Sequence, residues 1–158
     1  MDYADLFDEG LVDLEVDFSS QEEIFELISN VLNDKGYVEN SFKSAILKRE
    51  SEFPTGLATE TMKIAIPHTD VMHVRKPFIY VAKLKKPIPF LHMGTDDDWV
   101  DVENIFVLGI KEPSEQVGLL SLIMEKLQDK QFKKNFNTIA NKQEMVVYLK
   151  KNFGSEDQ

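Results

Sequence analysis

The stretch Ile64-Ala65-Ile66-Pro67-His68-Thr69 constrains the fold of this chain more than any other. A short apolar, β-prone run ends in a proline. Proline fixes its own φ and pushes the residue before it into extended geometry. A strand must therefore stop at Pro67, and His68 is presented from a stiff frame at the strand's end. In open α/β folds, ligands and chemistry sit at strand ends. A lone histidine in this position is also a common loop residue, so the rest of the chain has to decide its role.

Around that strand the periodicity alternates between helical and extended. Residues 1–17 are acidic, with a short strand expected near Leu11–Val16. Ser20 as N-cap with Glu23 at N3 makes a capping box, and Ile24, Leu27, Ile28 and Val31 follow at helical spacing. Asp34-Lys35-Gly36 is a helix stop. A second helix is expected from Ser41 to Glu52, broken by Pro54-Thr55-Gly56. Strands are expected at Lys63–Ile66, Phe78–Leu84 and Asn104–Ile110. The proline-punctuated piece Ile88–Leu91 is at best an edge strand, and His92–Trp99 reads as a solvated loop. A helix capped by Ser114 should run to Asp129, with two more at Gln131–Ala140 and Gln143–Lys151. The implied fold is α/β: a mixed central β-sheet flanked by helices on both faces. One domain over residues 1–158 is expected, with a flexible tail at 154–158.

Composition narrows the function classes. With 42% apolar and 29% charged residues among 158, the chain has the balance of a globular protein with a core. No apolar run approaches the ~20 residues that cross a bilayer, so direct membrane insertion is not expected. The acidic opening Met1-Asp2-Tyr3-Ala4-Asp5 lacks the plan of a secretory signal. There is no cysteine, which excludes disulfides, thiolate metal sites and a cysteine nucleophile, and fits a cytoplasmic location. A net charge of −10 argues against nucleic acid and against a bare anionic membrane as partners. It favours a basic protein partner.

Three further residues are candidates for chemistry. Arg49 lies three residues after Ile46 and seven after Phe42, on the apolar stripe of its helix. A guanidinium there either snorkels to water or meets an anion with its planar fork of donors. Thr55-Gly56 offers a hydroxyl and a permissive turn, which is a weak anion signal. Gln116 shares a helical face with Leu119, Leu120 and Ile123, where a polar residue often borders a pocket. A zinc set of His68, Asp70 and His73 lacks a helical spacing and is disfavoured, so no metal is expected. No Gly-x-Ser-x-Gly elbow supports a hydrolase.

Taken in order, Arg49-Glu50, Thr55-Gly56 and Ala65-Ile66-Pro67-His68 resemble the enzyme IIA components of the bacterial sugar phosphotransferase system (PTS). The group is the fructose/mannitol-type family, and the spelling is most similar to its galactitol-specific branch. The likeness extends over nearly the whole chain. It implies that His68 is the phosphoacceptor and that Arg49 stabilises the phosphoryl group, with Thr55 and Gln116 as binding residues. Many members have a glycine-rich Gly-x-Gly-x-Gly before the Ala-Ile-Pro-His; here Leu57-Ala58-Thr59-Glu60-Thr61-Met62-Lys63 stands instead. Many also have a second histidine where this chain has Gln116. The resemblance further implies the partners. The histidine phosphocarrier protein (HPr) donates to His68, a cysteine of the EIIB component accepts, and an EIIC permease is served indirectly. No cofactor is implied. An alternative within the same resemblance is a regulatory EIIA-like sensor of phosphorylation state that binds other proteins.

Overall fold

Along the strand Phe78–Leu91, here β4, successive side chains enter two different hydrophobic cores. Ile79 and Val81 face one; Phe78, Tyr80 and Ala82 face the other. This is the period-two pattern of a strand buried on both sides. The neighbouring strand Trp99–Gly109, β5, divides in the same way, with Phe106 and Leu108 on one face and Ile105 and Val107 on the other.

The computed structural model describes residues 3–154. The remaining strands are β1 (Val12–Val16), β2 (Gly56–Ala58) and β3 (Lys63–Ala65). The sheet order is β1-β4-β5-β3-β2. β4 pairs antiparallel with β5, β2 antiparallel with β3, and β1 and β3 run parallel to β4 and β5 respectively. Helices α1 (Gln21–Asp34) and α2 (Phe42–Glu52) cover one face through Ile24, Phe25, Ile28, Leu32, Phe42 and Ile46. Helices α3 (Pro113–Leu127), α4 (Lys130–Thr138) and α5 (Lys142–Phe153) cover the other. Each fully buried Phe, Leu or Ile in these layers contributes about 1.5–3 kcal/mol. The expected mixed sheet with helices on both faces is therefore the observed architecture.

Local signals place several boundaries correctly. Ser20 caps α1, accepting from the Glu23 N–H at 3.2 Å. Gly36 follows α1 with φ +80, a conformation that suits glycine. Four expectations need correction. First, β4 does not end at Leu84. It continues through Pro87 and Pro89, and a register shift between Lys83 and Ile88 absorbs the first proline. Beyond Leu84, where the pairing with β1 ends, Ile88–Leu91 is a local edge. There the Pro89 carbonyl accepts from Gln21 Nε2 at 3.0 Å. Second, β5 begins at Trp99 rather than Asn104, because Val100 and Val102 pair with Phe90 and Ile88. Third, Ser114 is not the N-cap of α3. Pro113 occupies the first turn and Glu112 is the cap, without a side-chain bond. Proline's fixed φ and missing N–H suit the first helical position better than a hydroxyl one residue later. Fourth, Gly56–Ala58 forms a short strand that the sequence does not signal. Of the expected tail, the Gly154 N–H donates to Lys150 O at 2.9 Å; positions 155–158 lie outside the described residues.

Candidate functional site

Beyond β3 the chain stays beside β5. The Leu108 N–H donates to Pro67 O at 2.9 Å, and His68 forms an isolated parallel bridge with Leu108. His68 thus stands at the carboxyl end of two parallel strands, where the sequence places it. Its ring is half-buried. Nδ1 lies 2.9 Å from the Ile66 carbonyl, and a carbonyl only accepts, so Nδ1 carries the proton. Nε2 is left with a free lone pair. Burial lowers the ring's pKa below the ordinary histidine value, and the nearby Arg49 charge lowers it further. The bond to Ile66 and the Asp70 charge oppose this. The ring is therefore neutral at pH 7, the form that can act as a nucleophile.

Arg49 sits in the last turn of α2, one turn past the buried Ile46. Its guanidinium lies over the Phe53 ring, 4.5 Å from the centroid. It meets Asp70 only at 3.7 Å, with the Asp70 side chain 66% exposed. Such a long, wet pair holds the arginine weakly. Its Nε is buried and has no hydrogen-bond partner among the described residues. A buried donor without an acceptor is rare and costs about 1–3 kcal/mol. The arrangement fits a bound anion. Arg49, Ser41, Lys48, Phe53, Asp70 and His73 line an open cleft of about 450 Å³ between α2 and the segment following His68.

Thr55 stands beside the strand that leads to His68. It is buried, and its hydroxyl and N–H both donate to Glu50, each at 2.7 Å. Its one hydroxyl proton is committed, so it has none to offer a phosphoryl oxygen. Its Oγ1 instead accepts from the Ile66 N–H at 3.2 Å. Glu50 itself, 5% exposed, has its pKa raised to about 7 by burial, with the two Thr55 bonds opposing. Sequence reasoning passed over this residue. The signal was present, since Phe42, Ile46 and Glu50 are four apart and form one buried helical stripe.

Gln116 is half-buried near the start of α3, which follows the carboxyl end of β5. The topology brings it to the same end of the sheet as His68. The other two histidines have partners of their own. His73 Nδ1 is 2.7 Å from Ser41 Oγ, and His92 Nδ1 is 2.9 Å from Met93 O. Among the described residues, no group of three His, Cys, Asp or Glu side chains is placed to hold a metal ion. No helix among them is long and apolar enough to cross a membrane.

Comparison with known proteins gives a consistent picture. The family model described as phosphoenolpyruvate-dependent sugar phosphotransferase system, EIIA 2, matches residues 5–152. The PTS system galactitol-specific EIIA component of Escherichia coli K12 is 30% identical over 135 residues, covering 85% of this chain and 89% of that protein. Among solved structures, the nitrogen regulatory protein IIA-Ntr from Neisseria meningitidis superposes with a TM-score of 0.74 at 20% identity, covering 92% and 97% of the two chains. Enzyme IIA mannitol of Escherichia coli, solved in complex with phosphorylated enzyme IIB mannitol, superposes with a TM-score of 0.67 at 21% identity, covering 90% and 97%. At these identities the two structures speak to the fold.

Proposed function

Because the chain belongs to the EIIA 2 family of the phosphoenolpyruvate-dependent sugar phosphotransferase system, we propose that it carries a phosphoryl group on His68 Nε2 between two protein partners. The chain is a phosphotransferase component of that system. In the proposed relay, Nε2 attacks the phosphorus of the phosphohistidine on HPr. An Nε2–P bond forms as the donor's N–P bond breaks. A cysteine thiolate of EIIB then attacks the same phosphorus and releases neutral His68. EIIC is served only through EIIB. Galactitol is the substrate class we assign to the system, on the name of the Escherichia coli relative. A cytoplasmic site of action is part of the proposal.

The observation that carries this reading is the bond from Nδ1–H to the Ile66 carbonyl. It fixes the tautomer and leaves Nε2 as the nucleophile. Arg49 supports the second requirement, stabilisation of charge on the transferring group, with its unpaired Nε. In-line phosphoryl transfer needs little more than positioning and charge stabilisation. Gln116 contributes a neutral amide donor in this scheme. A regulatory sensor would use the same site; the galactitol-specific name of the 30%-identical relative supports the transport role.

The test is phosphorylation by phosphoenolpyruvate, enzyme I and HPr, with the modified residue mapped. We expect a single acid-labile label on His68, absent in His68→Ala. Label retained by a folded His68→Ala protein overturns the assignment.

A further inference from the structure

We propose that Glu50 is a positioning residue for the phosphoacceptor, acting through Thr55 on the Ile66 backbone whose carbonyl holds His68 Nδ1–H. The proposal rests on the role given to His68 above.

Five contacts connect the two side chains. Glu50 Oε1 accepts from the Thr55 hydroxyl and Oε2 from the Thr55 N–H, both at 2.7 Å. Thr55 Oγ1 accepts from the Ile66 N–H at 3.2 Å, and the Thr55 carbonyl accepts from the same N–H at 3.4 Å. The Ile66 carbonyl accepts from His68 Nδ1–H at 2.9 Å. The Ile66 N–H and carbonyl belong to different peptide groups. Polarisation along the bonds is interrupted there, and what Glu50 transmits is geometry. With the Ile66 nitrogen pinned and Pro67 stiffening the next peptide, the Ile66 carbonyl has little freedom to turn away from the ring. A carboxylate buried in an apolar stripe is costly unless hydrogen-bonded. Both bonds described for Glu50 come from Thr55, the residue that contacts Ile66. Glu50 also adjoins Arg49 on α2, so one helical turn carries the phosphoryl clamp and the support for the nucleophile.

The test reads the tautomer of His68 by ¹⁵N NMR in the intact protein and in Glu50→Gln, Thr55→Val and Thr55→Ser. Glutamine keeps the size of Glu50 but presents two donors where Thr55 needs an acceptor. Valine keeps the shape of threonine and removes the hydroxyl. We expect the Nδ1–H tautomer in the wild type and its retention in Thr55→Ser. Glu50→Gln and Thr55→Val should show mixed tautomers. They should also accept the phosphoryl group at least about tenfold more slowly, as expected of a misoriented nucleophile. Wild-type tautomer populations in both variants overturn the proposal, whatever their rates. A wild-type His68 protonated at Nε2 overturns it without any variant. Variants that unfold assign Glu50 to stability and also count against it. If wild-type His68 accepts no phosphoryl group, the proposed function fails while the tautomer comparison still reads.

Discussion

Arg49 illustrates how little separates a structural cation from a functional one. Its stacking on Phe53 and its long contact with Asp70 hold the side chain without using its Nε donor. Phe53 is itself 57% exposed, so the stack lies at the rim of the cleft. A lysine at this position would keep the positive charge and lose both the planar fork and the stack. Arg49→Lys should therefore slow phosphoryl transfer in both directions by about tenfold or more, equivalent to roughly 1.4 kcal/mol of barrier. Rapid-mixing transfer assays with the folded variant measure this. Wild-type rates in both directions would exclude a phosphoryl-clamping role.

The elements matter because the site is assembled at the ends of strands. β5 is the element that His68 bridges through Leu108, and its last residue, Gly109, pairs with Phe78 of β4. A Cβ on Gly109 would collide with the Phe78 ring. The ring has no room to retreat. It is fully buried and packs edge-on against Tyr37 at 5.8 Å and Phe42 at 6.2 Å. Gly109→Ala should destabilise the protein by about 1–3 kcal/mol through overpacking. The expected signature is a lower urea midpoint with an unchanged m-value. Unchanged stability would mean that β4 and β5 can slide apart here, which their paired register does not suggest.

At the scale of the molecule, α3 starts from the sheet end at which β5 finishes and beside which His68 stands. Gln116 lies near the start of α3, 48 positions along the chain from His68. An amide is neutral at working pH and neither accepts nor releases a proton in catalysis. Gln116→Ala should slow transfer modestly and leave His68 labelled. Gln116→His should add a titration near neutrality to the pH–rate profile. Loss of all labelling in a folded Gln116→Ala protein would instead make Gln116 indispensable.

Local chemistry along the chain was enough for the helix start at Ser20, the strand stop at Pro67 and the placement of His68 at that stop. It was also enough to set Arg49 on the same helix face as Phe42 and Ile46. Capping, proline geometry and hydrophobic period all act within a few residues, so they can be read without knowing the fold. The motif Arg-Glu, Thr-Gly, Ala-Ile-Pro-His marked the family for the same reason, since its parts lie within 20 residues of one another. Long-range pairing was needed for the rest. β2 exists because Leu57 finds Ile64 across a hairpin, and β4 continues past its prolines because Phe90 finds Val100. The Ile66 carbonyl that identifies the free nitrogen of His68 lies only two residues away, but the Ile66 N–H is held by Thr55, eleven residues back, and Thr55 in turn by Glu50 of α2. Such bonds are chosen by the register of the sheet and the docking of α2 upon it. No window of neighbouring residues contains that information.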